Sequence, residues 1–322
     1  MRTIRTRGAL GAAALVCALW APAVASAAEK PVATTGGVAN VTPTTVVLNA
    51  TINPKGAATS YFFQYGTTVI YGSLTPSASV GSGNKGVKIA VAVGALAPAT
   101  TYHYRVVAQN SKGLTRGKHR TFKTKRQPLG VALAATPNPV RVGGATTLGG
   151  ALTGTGNGNR QVVLQSNPWP YTQGFLTTGN AQVTNSTGAF AFPVIGVPVN
   201  TQYRVLMASR PEVVSPVVVV ATTVKVTRRV RVKRGVRRAR IRFRGRLTPA
   251  VDGQQVVIQR LRKGIWVNRG QTVARHAKAG YSRYSKSIRV RRGGRFRVVL
   301  IDASGKYSPS ASRSRRVRRV LG

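Results

Sequence analysis

The 322-residue sequence predicts an all-β protein built of tandem β-sandwiches. Short runs in which apolar and polar residues alternate recur every ten or so positions, as in VVLNATI, SYFFQYG, VKIAVAV and YHYRVVAQ. Gly, Pro, Asn and Thr separate them, which is the punctuation of antiparallel strands. Past the first 27 residues no stretch sustains a helical period, and the motif order of the middle third returns in the last third.

Arg2, Arg5 and Arg7 precede an apolar run from Ala9 to Trp20, and Ala25-Ser26-Ala27 offers a small-x-small cleavage site. Residues 1–27 therefore read as a secretory signal peptide. The run is shorter than the roughly 20 residues a bilayer core needs, and no second one follows, so no transmembrane anchor is expected. The single cysteine, Cys17, lies inside this leader, and the preceding Ala14-Leu15-Val16 lacks the small residue a lipid-attachment site places next to its cysteine. The mature chain then has no disulfide, no thiolate nucleophile and no sulfur-bound metal. Its expected location is secreted, extracellular or associated with the cell wall.

Lysine and arginine total 50 against 4 acidic residues, a net charge of +46, and about thirty of the basic residues follow Val224. With 42% hydrophobic residues the chain can still bury enough surface to fold. A folded, strongly basic protein will adhere to anionic polymers.

Residues 31–124 form the first segment. Its markers are Thr45-Val-Val-Leu-Asn-Ala-Thr-Ile-Asn-Pro54, Tyr61-Phe-Phe-Gln-Tyr-Gly66, and a run from Leu96 to Gly113 in which Tyr102, Tyr104, Val106 and Ala108 alternate onto one face. This segment resembles a bacterial fibronectin type III domain. The resemblance implies a tyrosine corner, with the Tyr102 phenol bonded to backbone a few residues upstream. It also implies a spacer or protein-contact role, although the Arg-Gly-Asp tripeptide of some members is missing.

Residues 128–221 and 224–322 repeat one another. Gly150-Ala-Leu-Thr, Gln161-Val-Val-Leu-Gln, Trp169, Gly188-Ala-Phe190 and Tyr203-Arg-Val-Leu206 return as Gly245-Arg-Leu-Thr, Gln255-Val-Val-Ile-Gln, Trp266, Gly280-Tyr281 and Phe296-Arg-Val-Val299. Both resemble the repeated extracellular immunoglobulin-like modules of soil actinobacteria. The whole mature chain is thus expected to be a tandem of fibronectin type III and immunoglobulin-like β-sandwiches. Boundaries are expected near Lys125-Arg-Gln-Pro128 and near Thr222-Thr223.

The stretch RVRVKRGVRRARIRFRGRL, from Arg229 to Leu247, admits two readings. As a helix it would place Val236, Ala239, Phe243 and Leu247 on one stripe. Gly235 and Gly245 interrupt that helix, the apolar residues are mostly branched or aromatic, and Ala239, Ile241 and Phe243 alternate strictly. Two strands joined by a Lys233-Arg234-Gly235 turn are therefore predicted, with Val, Ile, Phe and Leu inward and Arg240, Arg242, Arg244 and Arg246 outward. Together with Arg289, Arg291, Arg292, Arg295 and Arg297, and with Arg313, Arg315, Arg316, Arg318 and Arg319, they are expected to form one polyanion-binding surface. For an exported chain the partners are anionic cell-wall or other extracellular polymers. The plain alternative is compositional: codon bias in a GC-rich genome and selection for solubility coat the surface in arginine without a ligand. No helix-turn-helix, RNP or zinc-finger pattern appears, so sequence-specific nucleic-acid recognition is not expected. Trp266, Tyr281, Tyr284 and Tyr307 are the aromatics available for stacking on bases, but the repeat pairs Trp266 with Trp169 and places both in the core.

Catalytic chemistry is poorly provided for. The carboxylates are Glu29, Glu212, Asp252 and Asp302, with Asp252-Gly253 read as a hairpin turn and Asp302 as the start of another turn. His103, expected to face solvent, His119 and His276 have no His or acidic neighbour at ligand spacing, so neither a metal nor any other cofactor is expected. The loop Gly154-Thr-Gly-Asn-Gly158 lacks the context of a phosphate cradle. Non-enzymatic binding is the reading. Its alternative is a carbohydrate- or protein-binding module that uses Trp169 and Tyr171, the aromatics of Pro168-Trp-Pro-Tyr171.

Overall fold

The computed structural model describes residues 27–236 and 238–318, and contains strands, turns and bends but no helix among them. The leader up to Ser26 and the terminal Arg319 lie outside the described residues. The chain separates into a unit ending at Lys125 and a unit beginning at Arg126.

The first unit is one sandwich. Val32–Ala39, Val46–Asn53 and Val87–Val93 form one sheet, and Thr59–Gly66 pairs with Thr101–Asn110 at the centre of the other. Alternation puts Leu48 and Ile52 of the first sheet against Phe63, Tyr104 and Val106 of the second, all buried. The tyrosine corner is present, since Ala97 N–H donates to the Tyr102 phenol oxygen at 2.9 Å.

The second unit holds two sandwiches with separate cores, one around Leu148, Leu152, Phe192 and Val205, the other around Ile241, Phe243, Ile258 and Phe296. Their repeat is structural. Leu152 and Leu247 are both fully buried, and Tyr203-Arg-Val205 and Phe296-Arg-Val298 fill the same strand, with the aromatic and the valine inward. A side chain at Gly150 would collide with the carbonyl of Ala132, and one at Gly245 with that of Thr227, so both copies need the bare backbone there. Gly150 pairs with Phe190 and Gly245 with Tyr284, which makes Tyr284, not Tyr281, the counterpart of Phe190.

The two tryptophans are not equivalent, and neither is core. Trp169 is half-buried where the two sandwiches meet, and its Nε1 donates to the Ser304 carbonyl at 3.1 Å. Trp266 is half-exposed on the outside of a sheet, beneath the Arg297 guanidinium, 4.4 Å from the ring centre. Both follow the same core strand, but the connections after it differ. The Gln161–Pro168 strand ends at Trp169, whereas Gln255–Arg262 turns directly into a paired strand, Ile265–Val273, that carries Trp266 outward.

The junction itself is hydrogen-bonded. Val140-Arg141 pairs in parallel with Thr222-Thr223, and Thr223 bridges to Ser308. Asn200 donates from its side-chain amide to the Gly305 carbonyl at 2.8 Å and accepts from Thr222 N–H at 2.7 Å. Val142 and Val199 of the middle sandwich pack against the core of the last one.

Candidate polyanion-binding face

The arginine stretch is two antiparallel strands, Arg229–Lys233 and Ala239–Thr248. Their connection runs from 234 to 238, longer than the three-residue turn expected, and Val236 within it is 90% exposed. Ala239, Ile241, Phe243 and Leu247 are completely buried, and Arg240, Arg242, Arg244 and Arg246 between them are exposed. A period of two forces this outcome, because adjacent side chains of a strand leave on opposite faces.

Register then assembles the face. Arg229, Arg231 and Lys233 stand directly opposite Arg244, Arg242 and Arg240. On the other flank Arg240 faces Arg289 and Arg246 faces Arg283, which in turn faces Arg275. Along one strand these groups repeat about every 7 Å, and across strands their Cβ atoms lie about 5 Å apart. Like charges set directly opposite one another destabilise a sheet. Arg229, Arg231, Lys233, Arg275 and Arg283 were missed as site residues, although the alternation in RVRVK already signalled the first three. A groove of about 880 Å³ crosses this face, lined by Arg229, Arg242, Arg244, Arg246, Arg275 and Arg283 among others.

Among the described residues no carboxylate forms an ion pair with it. Among the described residues the ion pairs are Lys55 with Glu29 and His276 with Asp252. Asp252 accepts from Ser282 Oγ and from His276 Nδ1, at 2.5 and 3.0 Å, and those contacts, Ser282 first, hold its carboxyl below the usual range. Asp302 is engaged by its own loop, accepting from Ser304 N–H at 3.0 Å and from Tyr307 N–H at 2.8 Å. Arg242 donates to Ser285 Oγ at 3.1 Å, a neutral partner.

The remaining expected residues do not join this face. Arg295 pairs with Arg316 on the outside of the opposite sheet, where Arg297 also lies, and Arg291 and Arg292 sit in the connection between the two sheets. Arg315 stands opposite inward-facing Phe296 at the sheet edge, and Arg313 and Arg318 are exposed in the C-terminal stretch. The single surface expected from the sequence is therefore divided. Arg295 and Arg297 alternate just as Arg240 and Arg242 do, but their strand belongs to the other layer.

Aromatic platforms are scarce. Tyr284 and Tyr307 are buried, and burial raises the Tyr284 phenol well above its usual range while its hydroxyl donates to the Thr227 carbonyl at 2.8 Å. Tyr281 is half-exposed, but Arg246 and Arg283 lie over its ring at 4.8 and 5.7 Å. The Arg283 guanidinium also donates to its phenol, which lowers the pKa of that group. Of the alternative platform Trp169 is engaged, while the Tyr171 side chain is half-exposed. Trp169 is tied to Ser304 with the Lys306 ammonium 5.8 Å from its ring, and the backbone of neighbouring Tyr171 is bonded to Pro168 and Asn167.

Three side chains of hydrolase type do meet in the last sandwich, but in the wrong order. Ser282 is fully buried and donates to Asp252, and His276 contacts the same carboxylate, so the imidazole does not address the serine oxygen as it would in a hydrolase triad. The Asp252-Gly253 turn joins strands of different sheets and is not a hairpin. In the first unit His103 is half-buried and not free in solvent. Its Nδ1 lies 3.1 Å from His119 Nε2, and His119 Nδ1 lies 3.0 Å from the Tyr71 hydroxyl. That contact between histidines sixteen positions apart was not foreseen.

No protein-family model matches this sequence, and no curated protein is similar to it. Among solved structures, the chicken CNTN1 FN1-FN3 domains are 16% identical, with a TM-score of 0.30 over 89% of this chain and 99% of that one. Titin domains A168-A170 are 14% identical, with a TM-score of 0.35 over 91% and 100%. A tetra-tandem repeat from the extending region of a large adhesion protein is 13% identical, with a TM-score of 0.28 over 90% and 74%. Scores this low carry no argument about partners, and the architecture stands on this chain's own strand pairing.

Proposed function

We propose that the chain is an exported, non-enzymatic binding protein that holds to anionic polymers of the cell envelope through the arginine face of its last sandwich. The first two sandwiches act as spacers or protein-contact modules. The observation that carries this reading is the register that sets Arg229, Arg231, Lys233 and Arg283 directly against Arg244, Arg242, Arg240 and Arg246, with no ion pair to a carboxylate on this face among the described residues. An external anion is the partner that turns this repulsion into attraction.

Composition speaks against a genome-wide bias as the cause. From Glu29 to Lys125 the basic residues are eight lysines and three arginines, whereas after Val224 they are six lysines and twenty-five arginines. One coding sequence therefore uses lysine freely in one domain and arginine in another. Arginine offers a planar fork that pairs with phosphate or carboxylate through two hydrogen bonds, which lysine does not. The absence of free stacking aromatics on the face favours a polymer read by charge over one read by bases. The positively charged, apolar leader supports export.

Binding to an immobilised envelope polymer, measured across a salt series, tests the reading. The natural sequence should bind tightly at low salt and be released as salt rises. Replacing Arg240, Arg242, Arg244 and Arg246 by Ser should weaken binding by at least about tenfold and flatten the salt dependence. Retention that ignores both salt and the four substitutions would exclude it.

A further inference from the structure

The strand Val87–Val93 is an open edge of the first unit's three-stranded sheet. It pairs with Val46–Asn53 along its whole length without a bulge, and among the described residues no strand pairs with its other side. Its outer backbone groups are a template for one more strand. The strands at the same place in the other two sandwiches are guarded. Ala189–Val197 carries Pro193, which has no N–H to offer, and Gly196 at a φ of 76°. Tyr281–Val290 is covered at one end by Arg275–Lys278 and carries Arg283, Lys286 and Arg289. The sequence VKIAVAV has no proline, no glycine and one charge, Lys88.

Parity and order decide what can pair there. Val87, Ile89, Val91 and Val93 stand opposite Ile52, Ala50, Leu48 and Val46, so they share the core-facing side, with Ile89 and Val91 half-buried at its rim. Lys88, Ala90 and Ala92 are exposed on the outer side. Read outward from Ala90, the strand is nearly the same in both directions: isoleucine and valine flank the centre, lysine and alanine follow, and a valine closes each end. An antiparallel copy centred on Ala90 therefore sets Ile89 against Val91, Val87 against Val93 and Lys88 against Ala92. Apolar meets apolar on one side, and no lysine meets a lysine on the other.

We infer that the first unit pairs with a second copy of this chain along Val87–Val93, antiparallel about a two-fold axis through Ala90, joining two three-stranded sheets into one of six strands. The inference does not rest on the proposed function, since it uses no residue of the arginine face. Seven residues of edge make a small interface, so the dimer is reversible. Both partners are basic, with eight lysines and three arginines from Glu29 to Lys125. Repulsion between them opposes pairing, and salt strengthens it, the reverse of its effect on polyanion binding.

Sedimentation of the full chain over a range of concentrations and salt tests the pairing. A monomer–dimer equilibrium that tightens as sodium chloride rises is expected. Ala90→Lys, which opposes two lysines at the axis on an exposed side, should weaken it several-fold. Cross-linking fixes the register. With Cys17 replaced by serine, Ala90→Cys should form a disulfide dimer on oxidation, because directly opposite Cβ atoms stand about 5 Å apart. Lys88→Cys should not, since its two copies are offset by about 13 Å along the strands. A chain that stays monomeric at every concentration and salt would overturn the inference. So would a dimer that salt dissolves, one undiminished by Ala90→Lys, or one that Lys88→Cys cross-links as readily as Ala90→Cys. None of these outcomes bears on binding by the last sandwich.

Discussion

Arg297 Nε donates to Gln259 Oε1 at 2.8 Å across two neighbouring strands, with its guanidinium over the Trp266 ring. The middle sandwich has the same arrangement, with Arg204 on Gln165 at 2.8 Å and over Phe175, and the first has it in Arg105 on Gln64 at 2.7 Å and over Tyr71. All three domains thus hold one central pair of strands by a single outward arginine that is both hydrogen-bonded and stacked. A double-mutant cycle of Arg297→Ala and Gln259→Ala, read by denaturant unfolding, should give a coupling of about 0.5–1.5 kcal/mol. Additivity of the two substitutions would show the contact to be incidental.

Gly245→Ala should destabilise the last sandwich by about 1–3 kcal/mol, because the new methyl meets the Thr227 carbonyl and the Tyr284 hydroxyl. The matching Gly150→Ala change meets Ala132 and Phe190 and should behave alike. Thermal unfolding of the two variants checks the structural repeat.

Tyr102→Phe removes the phenol oxygen that accepts from Ala97 N–H and leaves that donor unpaired. A loss of about 1–3 kcal/mol is expected in the first sandwich alone. Melting of the unit from 126 onward should not change.

Salt should stabilise the last sandwich. Screening weakens the repulsion among Arg229, Arg231, Arg240, Arg242 and Arg244. Its melting temperature should therefore rise from low to moderate sodium chloride, and rise further with phosphate, which also binds. Arg244→Ser should raise the low-salt value and reduce the salt response. A melting temperature that falls with salt would contradict the charge geometry.

Acid should act through Asp252. Its folded pKa lies below the unfolded value, so its contribution is fully present above the ordinary aspartate pKa and is lost as pH falls through the folded value. Asp252→Asn should flatten the acid limb of a stability profile in that window, lowering stability near neutrality and converging on the natural sequence at low pH. The Ser282 contact is the main cause, so Ser282→Ala should flatten the same limb.

What could be read in the sequence was whatever one strand decides by itself. Alternation through Ala239, Ile241 and Phe243 fixed strand over helix and the outward direction of Arg240 and Arg242, and the fibronectin-like run from Leu96 implied, through that resemblance, the bond made by Tyr102. What was lost depends on which layer a strand joins and on what the chain meets far away. Arg295 and Arg297 have the right parity but the other sheet. Trp169 meets Ser304, 135 positions on, and Ser282 meets Asp252 from 30 positions away. No local pattern encodes such meetings. The motif repeat even misled, by equating two tryptophans that share an order in the chain and not a place in the fold.

The parallel pairing of Val140-Arg141 with Thr222-Thr223 matters once the last sandwich is held. A pull on the chain from its N-terminal side reaches the held domain through this pairing. Parallel strands drawn lengthwise slide against all their hydrogen bonds together, whereas a hairpin opened from its end peels one bond at a time. With Asn200 and Trp169 clasping the 304–306 loop beside it, the two domains are built to yield to tension as one block.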